Sequence, residues 1–248
     1  MREWDAMKLN EESLTPLYQQ LMEDIKIAIE EGKYKYEDKI PSEPELSESY
    51  SVSRITVRRA IDELCNEGYL IKKQGKGTYV NKPKLLRKIE QADDVQSFSA
   101  ACRANGMKPG AKVIGIQKLP SRKDEQKFMH LNEGDDVLYL QRVLSANGEP
   151  IMLENNYFNY EKFHFLENEK LDKTSLFSLL REKYNIDPSS TKKCTLEIVR
   201  ATSTNAKLLR VAVGEPLFFM TAYFTDASGS PLFIGRQYIV GSRYMFNI

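Results

Sequence analysis

Cysteine, histidine and tryptophan are scarce in this chain, and each shortage excludes a class of function. Its 248 residues hold three cysteines, two histidines and one tryptophan, Trp4. Cys65, Cys102 and Cys194 are odd in number and far apart, so they form neither a disulfide framework nor a paired-cysteine metal site. His130 and His164 stand too far from each other for a zinc site or a Ser-His-Asp triad. No apolar run approaches the ~20 residues that span a bilayer. The opening, MREWDAMKLNEES, has no apolar stretch of the kind that heads a secretory signal. Together these point to a cytoplasmic protein without a membrane, metal or cofactor partner. No low-complexity segment and no internal repeat is apparent.

Net charge is also low, +1 over the whole chain. The basic residues are nevertheless concentrated: residues 54–84 contain eight Lys or Arg against three Asp or Glu. Most of this stretch lies in IPSEPELSESYSVSRITVRRAIDELCNEGYLIKKQGKGTYV, residues 40–80. Ser42 and Glu45 make a Ser-x-x-Glu capping box, and Pro44 is tolerated in a first helical turn. Ser51-Val52 is the turn, Ser53 caps a second helix to about residue 67, and Gly68 stops it. At ~100° per residue, Val57, Ala60, Ile61 and Leu64 share the buried arc. Arg54 and Arg58 sit at i, i+4, and Ile55, Thr56 and Arg59 fill the exposed side. An exposed Ile beside two arginines suits a DNA major groove, which offers thymine methyls and guanine acceptors. Two strands follow, with the hairpin tip Gln74-Gly75-Lys76-Gly77 between them. Ahead of all this, Thr15 is expected to cap a helix over 16–31 that braces the pair.

Residues 14–83 resemble the winged helix-turn-helix domain of the GntR family of bacterial transcription regulators. The strings PLYQQLMEDIKIAIEEGKY, IPSEPELSESYSVSRITVRRAIDELCNEGYL and GKGTYV carry the resemblance. It implies operator binding by a homodimer. Carried over by position, the DNA contacts fall on Ser53, Arg54, Thr56, Arg58 and the wing tip around Gly75 and Gly77. Arg59 and Lys76 join them on charge. The family usually has Arg after the Ser-Glu of the first of these helices, and Pro44 stands there instead.

These signals assign 1–80 to the DNA-binding domain. Residues 81–92, NKPKLLRKIEQA, read as a linker, and 93–248 read as a second domain. Helices are expected over 95–104, 122–130, 160–166, 175–184 and 203–209. Strands are expected over 112–119, 136–146, 150–158, 191–201, 217–226 and 231–240. Asn147-Gly148 is a strong hairpin signal. Successive hairpins with helices between them make this an antiparallel α+β domain. The second half resembles the UTRA ligand-sensing domain of the HutC-type branch of the same family. The strings are SFSAACRANGMKPG, LQRVLSANGEPIMLENNYF, TSLFSLL and GSRYMF. The resemblance implies a fold like that of chorismate lyase, used for sensing rather than catalysis.

By position, the effector pocket of sugar-sensing relatives maps onto Phe98, Ser99, Arg142, Glu154, Ser175 and Phe177. An inward Arg142 among apolar strand residues needs an anionic partner. That partner is either a bound anion or Glu154 on the neighbouring strand, as a purely structural pair. For Phe98 and Phe177 the core reading is preferred to ligand stacking. Two polar contacts of amino-sugar sensors are replaced here by Leu144 and Phe233, which favours a smaller, less phosphorylated or more hydrophobic effector. Arg236 and Tyr238 are expected to supply replacement contacts. The implied function is an operator-binding repressor released by a small molecule of the sugar or sugar-phosphate class. The rival is an enzyme in the lyase-like domain. Against it, that half has no Gly-rich phosphate loop and no cluster of His, Cys and carboxylates.

Overall fold

The computed structural model describes residues 9–10, 12–81, 84–88 and 95–247. Trp4 and the first residues of the N-terminal arm lie outside that range. The chain divides into two compact units, Met1–Lys84 and Leu85–Ile248.

The first unit begins with α1 (Leu17–Glu30), whose Leu21, Met22, Ile25 and Ala28 are buried. Thr15 is not its cap: extended Pro16 occupies that position and no side chain bonds the free N–H groups. α2 (Glu43–Ser49) opens on the expected box. The Ser42 N–H donates to Glu45 Oε2 at 2.7 Å, and the Glu45 N–H reaches Ser42 Oγ at 3.5 Å. The Ser42 hydroxyl also donates to Glu45 Oε2, at 2.6 Å, and this bond together with that from the Ser42 N–H holds the carboxyl below the usual carboxylate range. α3 (Arg54–Asn66) starts at Ser53, whose Oγ accepts the Thr56 N–H at 3.2 Å. Val57, Ala60, Ile61 and Leu64 are fully buried, as the periodicity requires. They pack against α1, Leu46 and Tyr50. β1 (Leu70–Lys73) and β2 (Gly77–Val80) close the unit as an antiparallel hairpin.

The segment expected to be a linker is partly a strand. β3 (Leu85–Lys88) pairs in parallel with β10 (Tyr244–Asn247), at the far end of the second unit. Residues 82–83 and 89–92 of that segment lie outside the described range.

The second unit continues with α4 (Phe98–Ala104), β4 (Pro109–Pro120), α5 (Lys123–Met129), β5 (Asp136–Ala146) and β6 (Glu149–Asn159). α6 (Tyr160–Phe163), a 3-10 turn (His164–Asn168) and α7 (Leu176–Tyr184) come next. β7 (Ser190–Arg200), α8 (Ser203–Leu209), β8 (Pro216–Thr225), β9 (Pro231–Val240) and a second 3-10 turn (Gly241–Arg243) precede β10. Six strands form one antiparallel sheet in the order β4-β5-β6-β9-β8-β7. The β5–β6 turn is Asn147-Gly148, with φ of 52° and 82°, the left-handed pair that a type I′ hairpin demands. One face of the sheet carries Leu138, Leu140, Phe158, Phe224 and Phe233 against α6 and α7, with α4 packed beside them. α5 packs on Val137, Tyr157 and Ile234, while α8 packs on Val143, Leu153, Leu217 and Val240. Strand alternation puts these two sets on the opposite face.

The sheet is built twice over, which corrects the expectation of no repeat. β4-α5-β5-β6 and β7-α8-β8-β9 run through the same elements in the same order. Details coincide: α5 ends on left-handed His130 (φ 55°, ψ 45°) and α8 on left-handed Arg210 (φ 55°, ψ 51°). The Leu131 and Val211 N–H groups each donate back to Gln126 and Ala206 carbonyls at 3.0 Å. The repeat is hidden in the sequence because the inward residues diverge. Arg142 on β5 corresponds to Ala222 on β8, and Glu154 on β6 to Gly235 on β9.

Candidate nucleic-acid interface and ligand cavity

The first turns of α3 present the exposed chemistry of the first unit. Arg54 is exposed, and Ile55 is 80% exposed on a helix whose other face is completely buried. Ser53 and Thr56 hydroxyls bond each other at 2.9 Å, which fixes both at the helix entrance. Arg58 is exposed but engaged: its Nε and Nη2 both donate to Glu43 Oε2 at 3.2 Å. Lys72 approaches the same carboxylate at 3.9 Å and binds Asp62 at 2.6 Å. Arg59 departs from the expected set. Its guanidinium stacks 3.8 Å above the Tyr18 ring of α1, so it braces α1 against α3.

At the wing tip the Lys76 N–H donates to the Lys73 carbonyl at 2.9 Å, closing a tight turn. Gly75 and Gly77 have φ of 69° and 115°. The φ of Gly77 requires glycine, whereas an added Cβ would have only to displace the flexible end of the Lys39 side chain. Lys73 lies over the Tyr79 ring at 4.3 Å, which leaves Lys76 as the exposed cation of the tip.

In the second unit, six residues singled out from the sequence line one cavity: Phe98, Ser99, Arg142, Glu154, Ser175 and Phe177. The cavity holds about 40 Å³, enough for only a few waters. Arg142 is 2% and Glu154 5% exposed. Arg142 Nε and Nη2 donate to one carboxylate oxygen, Glu154 Oε2, at 2.9 and 2.5 Å, and Nη1 donates to the Thr174 carbonyl at 3.1 Å. Three of the five guanidinium N–H groups are thus engaged in these bonds. Phe177 also packs edge-on against Phe224 and Phe233, so it serves the core and the cavity wall together.

Arg236 and Tyr238 do not line this cavity. Alternation along β9 turns Gln237 inward and sends its two neighbours to the opposite face. There Arg236 binds Glu125 at 2.9 Å and Asp124 at 2.5 Å, 4.4 Å over the Tyr157 ring. Tyr238 packs on Phe219 with centroids 4.7 Å apart. The inward residue of β9 was missed, although its parity with inward Phe233 could have identified it. Gln237 Oε1 and both amide atoms of Asn156 are buried without a partner. Asn156 Oδ1 and Gln237 Nε2 lie 3.1 and 3.6 Å from the point where a Gly235 Cβ would stand. A missing Cβ at Gly235 therefore leaves room for two polar side chains beside the cavity. Tyr244 of β10, the strand absent from the sequence reading, completes another wall.

Buried Cys102 offers no nucleophile. Burial pushes the Cys102 thiol up to about 11, so it is neutral and unreactive at physiological pH. Among the described residues no group of three His, Cys, Asp or Glu could hold a metal ion, and no helix is long and apolar enough to cross a membrane.

Residues 17–80 match the family described as bacterial regulatory proteins, gntR family, and residues 104–245 match the UTRA domain. The chain is 32% identical, over 97% of its length and 98% of the other's, to an uncharacterized HTH-type transcriptional regulator, YurK, of Bacillus subtilis. It is 30% identical to the HTH-type transcriptional repressor NagR of the same organism, covering 97% of each chain. To the histidine utilization repressor of Pseudomonas putida it is 25% identical, over 94% of this chain and 91% of that one. Among solved structures, PhnF from Mycobacterium smegmatis shares the fold with a TM-score of 0.65 at 23% identity, covering 93% of this chain and 96% of that one.

Proposed function

Since the chain belongs to the GntR family of bacterial regulatory proteins and carries a UTRA domain, we propose how its two units divide a repressor's work. At the coarser level it is a transcriptional repressor of the GntR/HutC type and not an enzyme. In our reading the α3 entrance enters a major groove, with Arg54 on a guanine and the Lys76 wing tip on phosphate. Two copies joined through their second units read a twofold operator. The observation that carries this is the exposed Arg54-Ile55 edge of a helix whose other face is fully buried. Lys76→Ala is expected to weaken all duplexes alike and to flatten the salt dependence by about one unit of slope per head. Gel shifts across a salt series check this.

The cavity is proposed as the effector site, for a ligand of the sugar class with few negative charges. Arg142 is the cation of its wall and is already balanced by Glu154, so a phosphate dianion gains little there. The orphaned Gln237 Oε1 on the lining, with the unpartnered Asn156 amide beside it, suits hydroxyls, which donate and accept at once. The cavity is small as it stands, so a sugar must open it, and opening is a means of coupling to DNA. A coupling of ~1–3 kcal/mol suffices for a switch, and operator DNA must then weaken the effector by the same factor. A thermal-shift screen of sugars, sugar phosphates and organic acids identifies the ligand. At a hundred times its Kd it stabilises by about 2.7 kcal/mol. The variant Arg142→Met with Glu154→Leu should then keep operator binding and lose release by that ligand. Release at the wild-type concentration would place the effector elsewhere.

A further inference from the structure

The two edges of the six-stranded sheet differ in a way that identifies what covers one of them. Edge strands expose unpaired backbone groups, and proteins blunt them with bulges, prolines or covering loops. β4 is blunted in all three ways. It has Pro at both ends and a register break between Val113 and Gly115. Its edge is also occupied: the Val113 N–H donates to Asp172 Oδ1 at 2.8 Å, and the Lys173 N–H to the Ala111 carbonyl at 2.8 Å. On β7, at the other edge, a register break falls between Thr191 and Lys193, but the eight residues from Lys193 to Arg200 run regularly along β8 without Pro or Gly. Seven successive residues, 192–198, are exposed on both faces. Leu196 is 44% and Ile198 73% exposed, and Val213, in the turn after α8, is 70% exposed. The Gly214 N–H ties that turn to the Ala201 carbonyl at 2.8 Å, close to the end of β7.

The charges on this edge select the partner. An antiparallel copy of β7 centred on Thr195 puts Lys193 opposite Glu197 twice, by symmetry, and Cys194 opposite Leu196. Centring on Leu196 leaves Glu197 facing Thr195, and centring on Glu197 sets that carboxylate against itself. Among the described residues neither Lys193 nor Glu197 makes an ion pair within the chain. The geometry points to β7 as the seam of the homodimer, pairing with β7 of a second copy about Thr195 and joining two six-stranded sheets into one of twelve strands. The seam presupposes the homodimer proposed above and adds its location and register. Exposed Leu196 then packs against Cys194 across the seam, and Lys193 and Glu197 fix its register.

Sedimentation equilibrium of the full-length chain tests this by charge reversal. Lys193→Glu and Glu197→Lys are each expected to weaken the dimer about tenfold, since each turns two cross-strand attractions into two repulsions. The double reversal should restore the wild-type constant to within about twofold. Lys193→Gln provides a milder variant should a reversal lower folding yield, and it should weaken the dimer by a smaller factor. Single reversals without effect, or a double variant no tighter than the singles, overturn the β7 seam while leaving a homodimer intact. A monomeric wild-type chain overturns the seam and the homodimer together.

Discussion

Glu154→Leu is expected to lower the unfolding temperature of the second unit by roughly 6–20 °C. The side chain of Arg142 is 3% exposed and that of Glu154 7% exposed, with the two in contact at 2.5 Å. Removing one partner leaves a guanidinium buried without its counter-charge, which costs ~3–5 kcal/mol. A unit of this size loses ~2–4 °C per kcal/mol. Replacing both residues with apolar ones of similar volume, Arg142→Met with Glu154→Leu, should recover most of that loss or all of it, because desolvating two charges offsets their attraction. Scanning calorimetry on the single and double variants separates these outcomes. It also decides between two roles for the pair. A pair retained only for stability can be exchanged for apolar residues without loss of response, whereas a pair that meets the effector cannot. A single variant that melts with wild type would show that water reaches Arg142 and that the cavity is open.

Arg54→Ala is expected to cost ~1–3 kcal/mol per half-site if the side chain is bidentate to guanine. With two heads on one operator the loss doubles, to between ~30-fold and ~10⁴-fold in affinity. Arg58→Ala should cost less, because wild-type Arg58 must first leave Glu43. Glu43→Gln should therefore tighten binding, since it frees Arg58, while Lys72 stays on Asp62. Competition gel shifts against unrelated duplex measure all three. Equal affinity of Arg54→Ala and wild type for operator would remove α3 from the groove.

What the sequence revealed and what it concealed follow from the range of the interactions. α3 and the strands Asp136–Ala146 and Pro231–Val240 were legible because caps, turns and periodicity are local. The parallel pairing of β3 with β10 has no local signature, since its two halves lie at opposite ends of the unit. A charged run with one proline therefore read as linker. Side-chain direction on β9 was legible in principle. Arg236 drew attention by its charge, yet period-two alternation from Phe233 already assigned the inward place to Gln237. Arg59 needed the tertiary position of Tyr18, which no spacing along the chain encodes. The doubled α+β unit was hidden because the cavity depends on the two halves differing, with a charge pair in one and Ala222 and Gly235 in the other.

Footprinting of the wild-type chain on the DNA upstream of its own gene tests the central claim most directly. Two protected half-sites related by a twofold axis are predicted, with protection lost on adding the ligand found by thermal shift and retained, with that ligand present, for the Arg142→Met, Glu154→Leu variant. Uniform, salt-sensitive coating of the DNA without discrete half-sites, or half-sites that the ligand leaves protected, would contradict it.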